Sequence, residues 1–135
     1  VTAVNDIEFY NDSKGTNPDA AIQGIRAMTT PTCLIGGGYD KGSTYDEWIE
    51  AFGSTIKYLV LIGQTSKAIA DCCEKHGFTN YEFATSMEEA VEKCASHAKP
   101  GEAVLLSPAC ASWGMFDNYE QRGRIFKELV RKLPD

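Results

Sequence analysis

The sequence predicts an α/β domain: a mostly parallel sheet of about six strands with helices on both faces. Three observations carry this. Strand-like and helix-like segments alternate over the whole length. TCLIGGG reads as a buried strand ending in glycines, and KYLVLIG as the clearest strand in the chain. The length of 135 residues suits one domain, with no internal repeat, linker or low-complexity tract.

The elements follow in order. Val1 to Val4 and Ile7 to Tyr10 are short apolar runs around Asn5-Asp6, which predicts a hairpin and one antiparallel strand. Asn17 and Pro18 are the cap and first residue of a helix that runs through Ala21, Ile22, Ile25 and Met28. After TCLIGGG, TYDEWIEAF is a short amphipathic helix with Tyr45, Trp48, Ile49 and Phe52 on one side. KYLVLIG leads into QTSKAIADCCEKHG, a helix closed by Gly77. YEFA is a strand. SMEEAVEKCASHA is a helix with Ser86 as its cap and Glu89 three residues on, a capping box. EAVLLSPA is a strand, and NYEQRGRIFKELVRKL is a terminal helix.

Composition excludes several function classes. Apolar residues make up 43% and charged residues 24%, ordinary values for a globular domain with its own core. The net charge of −6 argues against nucleic acid as a partner, since phosphate backbones need a basic face; it leaves room for a local basic pocket. No apolar run reaches membrane-spanning length and no signal-peptide pattern opens the chain, which predicts a cytoplasmic protein with no membrane partner. The five cysteines are odd in number and lack a C-x-x-C or any metal-ligand spacing, with only His76 and His97 to assist. They read as reduced and mostly buried.

In open sheets of this kind, ligands bind beyond the carboxyl ends of the strands. Three strand ends carry unusual polar clusters: NDSKGTN, GGGYDKGS and SPACASWGMFDNYEQRG. The strands ending at Gly63 and near Ala84 lead into more ordinary loops. Three special loops on one rim predict one site. Lys14 and Thr16 stand just before a helix N-terminus, where backbone N–H groups attract anions. Asp12 is either an acceptor for a ligand hydroxyl such as a ribose or, with Asn17, a turn and cap residue.

GGGYDKGS fits neither the phosphate-loop nor the dinucleotide fingerprint. Its glycines either bring backbone close to a ligand, with Lys41 as a point charge for a carboxylate or phosphate, or form a flexible loop. SPACAS offers Ser107, Cys110 and Ser112 but no G-x-S-x-G elbow. Both histidines fall on helices, which disfavours a hydrolase triad or a cysteine nucleophile. The small residues there instead expose backbone N–H groups and a serine hydroxyl to an anion. Glu120, Gln121 and Arg122 open the last helix.

At these motifs the sequence resembles the C-terminal domain of the Mur ligase family, in the MurD branch that adds D-glutamate. NDSKGTN, LIGGGYDKG and above all LLSPACASWGMFDNYEQRG carry the resemblance, which runs in the same order over all 135 residues. It implies a Rossmann-like fold, with residues 1–135 as the amino-acid-binding domain of a three-domain ligase and the N-terminal and central ATP-binding domains outside this chain. The absence of a G-K-[ST] loop fits that division.

The implied reaction is ATP-dependent amide formation in peptidoglycan biosynthesis. The carboxylate of UDP-N-acetylmuramoyl-L-alanine becomes an acyl phosphate, which the amine of D-glutamate attacks. ATP and magnesium would be bound mainly by the central domain, so the implied partners are the two substrates, ATP and the upstream domains. By resemblance, Thr16 and Lys41 hold one carboxylate of D-glutamate. Ser112 holds the other, helped by backbone N–H groups at Trp113 and Tyr119. Lys14 is the catalytic residue at the phosphate end of the cleft, and Asp12 contacts the ATP ribose. No metal ligand is implied in this chain, and alone it is expected to be catalytically silent. Two further readings stay open: a related Mur or folylpolyglutamate-type ligase domain, and a stand-alone small-acid-binding module without catalysis.

Overall fold

The computed structural model describes residues 2–39 and 42–134. The elements in chain order are β1 (Thr2–Val4), β2 (Ile7–Asn11), α1 (Pro18–Arg26), β3 (Thr32–Gly36), α2 (Asp46–Glu50), β4 (Ile56–Leu61), α3 (Ser66–Lys75), β5 (Tyr81–Phe83), α4 (Met87–His97), β6 (Ala103–Leu106) and α5 (Tyr119–Arg131). They build a six-stranded sheet in the order β1-β2-β6-β3-β4-β5. Only β1 is antiparallel to its neighbour; every other pair is parallel. The predicted hairpin forms with Asn5 and Asp6 at φ 53° and 63°, the primed turn that Asn-Gly more often supplies. Val1, the first residue of the predicted strand, lies outside the described residues.

Alternation along the inner strands sends side chains to two cores. Ile22, Ile25, Trp48, Phe52, Ile69 and Cys73 from α1 to α3 and their flanks pack with Leu34, Leu59 and Leu105 on one face. Met87, Val91, Cys94, Phe126 and Val130 from α4 and α5 pack with Cys33, Ile35, Val60, Val104 and Leu106 on the other. β3 and β6 are buried along their whole length, which is why their sequences carry no polar alternation. Burial pushes the Cys33 thiol up to about 11 and the Cys73 thiol up to about 12. None of the five cysteines forms a disulfide.

The starts of α1, α4 and α5 are set by side-chain caps, each contributing about 1 kcal/mol. Asn17 Oδ1 accepts from Ala20 N at 2.9 Å, with Pro18 at the first helical position. Asn118 Oδ1 accepts from Gln121 N at 2.7 Å. Ser86 Oγ accepts from Glu89 N at 3.1 Å, while the Glu89 carboxylate accepts from Thr85 N at 3.1 Å. The predicted box at Ser86 therefore closes one residue early, on the amide before the cap. Among the described residues no helix is long and apolar enough to cross a membrane.

This topology creates the rim. β6 inserts between β2 and β3. The chain leaves β2 and β3 toward the α1–α3 face but leaves β6 toward the α4–α5 face. Loops therefore part on both sides of the β6 carboxyl end, the position at which open α/β sheets bind ligands.

Candidate functional site

On the β2 side of β6, the NDSKGTN loop is tied to the SPACAS loop at every level. Asp12 N donates to Leu106 O at 2.7 Å, and Ala109 N donates to Gly15 O at 2.9 Å. The Ser107 hydroxyl donates to Asp12 Oδ2 at 2.8 Å. Gly15 and Gly24 make room for that carboxylate: a Cβ on Gly24 would stand 2.6 Å from Asp12 Oδ2, and one on Gly15 would stand 2.9 Å from it. Of the two roles open to Asp12, its geometry gives it at least the structural one, turned toward α1 and Ser107.

Beside this contact sits a residue that the sequence placed only at the opening of the last helix. Arg122, in the first turn of α5, is 1% exposed. Its Nε donates to Ser13 Oγ at 2.9 Å, its Nη2 to Ser13 O at 2.6 Å, and its Nη1 to Cys110 O at 3.0 Å. Ser13 Oγ donates in turn to Tyr119 O at 2.6 Å. The guanidinium thus joins the loop after β2, the loop after β6 and the start of α5 through oxygen acceptors that carry no charge. Burial lowers its pKa to about 10, which leaves it cationic at neutral pH. The sequence held a signal: Arg122 stands four residues before Phe126 and eight before Val130, on the stripe that α5 buries.

Lys14 is exposed and lines an open cleft of about 290 Å³ with Tyr119, Arg124 and Lys127. Despite the acidic chain, three cations share this cleft, with Glu120 as a local counter-charge. Tyr119 is the first residue of α5, so its backbone N–H belongs to the helix-terminal donors that have no intrahelical acceptor. Thr16 is half-buried just before the Asn17 cap, its N–H donating to Lys14 O at 2.8 Å.

The β3 side is built differently. Gly37, Gly38 and Gly63 pack backbone on backbone. A Cβ on Gly37, at φ 101°, would meet Ile62 O at 2.2 Å, and one on Gly38 would meet Ala111 O at 2.5 Å. Gly37 N donates to Pro108 O and Tyr39 N to Ala111 O, both at 2.9 Å. The glycines of GGGYDKGS therefore let three strand-end loops close on one another. The loop after Gly63, expected to be ordinary, belongs to this assembly: Gly38 N donates to Thr65 Oγ1 at 3.0 Å, and Thr65 N donates to Gly38 O at 3.1 Å. Lys41 lies outside the described residues.

Ser112 is buried, its carbonyl accepting from Phe116 N at 3.0 Å. Trp113 is 57% exposed and meets Tyr39 edge to face at 5.4 Å. Together with Gln64 and Met115 these rings line a second cleft, also about 290 Å³, which shares none of its lining residues with the Lys14 cleft. The rim thus carries two neighbouring clefts, one on either flank of β6. The Cys110 thiol is buried, with Thr65 Oγ1 at 3.4 Å and Tyr45 Oη at 3.5 Å. His76 is engaged with Asp46 and His97 with Glu82, which leaves no Cys–His pair at the rim among the described residues.

Comparison with known proteins gives a consistent answer. The model of the Mur ligase, glutamate ligase domain matches residues 1–110. UDP-N-acetylmuramoylalanine–D-glutamate ligase of Lachnospira eligens is 65% identical over 98% of this chain, and that of Lachnoclostridium phytofermentans is 58% identical over all of it. The chain spans about 30% of the length of these curated relatives. Folylpolyglutamate synthase from Thermotoga maritima superposes with a TM-score of 0.57 over 88% of this chain and 27% of its own, at 14% identity, a likeness of fold alone. The chain belongs to the Mur ligase family, as a glutamate ligase domain homologous to the C-terminal part of UDP-N-acetylmuramoylalanine–D-glutamate ligase.

Proposed function

We propose that this chain is the D-glutamate-receiving domain of an ATP-dependent amide-forming ligase of cytoplasmic peptidoglycan synthesis. In that reaction the carboxylate of UDP-N-acetylmuramoyl-L-alanine is phosphorylated by ATP. The amine of D-glutamate then adds to the acyl carbon, the C–O bond to phosphate breaks, and the nitrogen gives up a proton. Such chemistry depends on positioning and on offsetting negative charge. Thr16 and Lys41 take one carboxylate of D-glutamate. Ser112 and the backbone N–H groups of Trp113 and Tyr119 take the other. Lys14 serves the departing phosphate.

The observation that supports this most is the Ser13–Tyr119–Arg122 clamp. It fixes the N-terminus of α5 beside Lys14, so helix-terminal donors and a lysine flank one cleft. ATP and its magnesium would sit on the central domain of the full ligase. Asp12 reaches the nucleotide only with a carboxylate that already accepts the Ser107 hydroxyl. Magnesium supplies charge neutralisation on the transferring phosphoryl group when bound. The domain alone, without a phosphorylating site, makes no amide.

The test is an NMR titration of this chain with D-glutamate, using L-glutamate and a Lys41→Ala variant as controls. Amide shifts at Thr16, Ser112 and Tyr119 with D-glutamate, lost in the variant, are expected. Equal shifts with both enantiomers would move the stereochemical choice to the other domains.

A further inference from the structure

We propose that Asp46, Cys72 and His76 form a site for a borderline-soft divalent cation of the zinc class, seated between the first turn of α2 and the last turn of α3. One ligand atom from each residue lies within 4.8 Å of the other two. Cys72 and His76 are four apart, so α3 presents both on one face, and α2 brings Asp46 from 26 residues away. That separation is why no metal spacing was visible in the sequence.

The geometry is close to what an ion needs. Tetrahedral zinc with bonds of about 2.0–2.3 Å sets neighbouring donor atoms roughly 3.3–3.7 Å apart. Cys72 Sγ and Asp46 Oδ1 are already 3.6 Å apart. His76 Nε2 stands 2.7 Å from the same Oδ1, so the ion replaces that hydrogen bond as the two atoms part to roughly 3.3 Å. The site is open to solvent, with 24% of the His76 side chain and 38% of the Asp46 side chain exposed. Water completes the coordination. A sulfur, nitrogen and oxygen set favours zinc or cobalt over magnesium or calcium.

Two charges bear on the site. Glu50 adds negative potential at the Cys72 thiol. Lys75 opposes binding: its ammonium lies 3.1 Å from Asp46 Oδ1, but its side chain is 70% exposed and free to swing into water. Binding takes the Cys72 proton, which goes to solvent, and affinity therefore falls as the pH is lowered. The rim plays no part, because α3 starts beside Gly38 and carries Cys72 and His76 about 10–15 Å away along its axis.

The test is a titration of the 135-residue chain with cobalt(II) alone, read by absorption. The strong visible bands of a tetrahedral cobalt site and a near-ultraviolet thiolate charge-transfer band are expected at one equivalent, both removed by added zinc. Cys72→Ser should abolish the charge-transfer band, and His76→Ala should weaken binding about tenfold or more. His97→Ala should change nothing. Lys75→Ala, at an exposed position that does not endanger folding, should tighten binding several-fold. A charge-transfer band that survives Cys72→Ser would overturn the proposal. So would a solution showing only aqueous cobalt, or a Lys75→Ala variant that binds no more tightly.

Discussion

The two flanks of β6 hold their loops by opposite means. On the β2 flank the work falls to one charged side chain: Arg122 hydrogen-bonds Ser13 twice and Cys110 once in a dry interior. On the β3 flank it falls to the lack of side chains, with Gly37, Gly38 and Gly63 letting backbones meet. The outward faces differ as well. The first flank shows Lys14, Arg124 and Lys127, the second Tyr39 and Trp113. A charge clamp concentrates its hold in one residue and is lost by deletion. A glycine seam is spread over three loops and is lost only by addition.

The strongest way to break the contrast is to add one methyl group to the seam. Gly37→Ala must place a Cβ 2.2 Å from Ile62 O in a left-handed conformation that L-residues avoid. We expect a loss of roughly 3–5 kcal/mol by urea denaturation, from overpacking and backbone strain together. A Gly37→Ala variant as stable as the parent would mean the seam opens at little cost. Deleting the clamp comes next. Arg122→Met keeps the bulk but leaves the Ser13 and Cys110 carbonyls buried without these donors, at roughly 2–4 kcal/mol. Arg122→Lys should recover little, since one ammonium cannot span both loops as a planar fork does.

A smaller, matched pair sharpens the comparison. Ser13→Ala removes a donor to Tyr119 O and an acceptor from the guanidinium, and should cost about 2 kcal/mol. Thr65→Val removes the acceptor for Gly38 N and should cost about 1–2 kcal/mol. The two should differ in coupling. Ser13→Ala and Arg122→Met act on one network and should be far from additive, whereas Thr65→Val and Arg122→Met should add to within about 0.5 kcal/mol. Coupling between Thr65 and Arg122 measured in that double-mutant cycle would show that the flanks are one unit.

This contrast also explains what was legible in the sequence. Elements were readable because their signals are local: the Asn17-Pro18 start, the Ser86 cap, and the apolar runs of β3, β4 and β6. The rim was readable from the rule about strand carboxyl ends. The hidden parts were the contacts of long sequence separation. Ser13 and Arg122 meet across 109 positions, and Asp12 and Ser107 across 95. The packing role of Gly37 and Gly38 was hidden because a glycine that admits a ligand and one that admits another loop have the same spelling. Thr65 gave no signal, since a single threonine after a strand is common in any loop.

The smallest expected effect uses acid to separate the clamp from the far end of α3. The acceptors of Arg122 are carbonyls and a hydroxyl, and none of these protonates between about pH 5 and pH 2. Asp46 is different: hydrogen bonds from His76 and then Lys75 hold its carboxyl at about 2, against an ordinary 3.8. A carboxyl depressed on folding contributes stability that is fully present above its unfolded value and is lost as pH falls through its folded value. The α2–α3 contact should therefore weaken between about pH 4 and pH 2. Hydrogen exchange at about pH 5 and about pH 2.5 measures this by segment. Amides in α2 and the last turn of α3 should lose protection at the lower pH, while those around Ser13 and the first turn of α5 keep theirs. Asp46→Asn should remove the difference at α2 and α3. Equal loss of protection in both regions would mean that acid acts on the whole domain, and that the clamp owes its hold to some carboxylate beyond the three oxygens around Arg122.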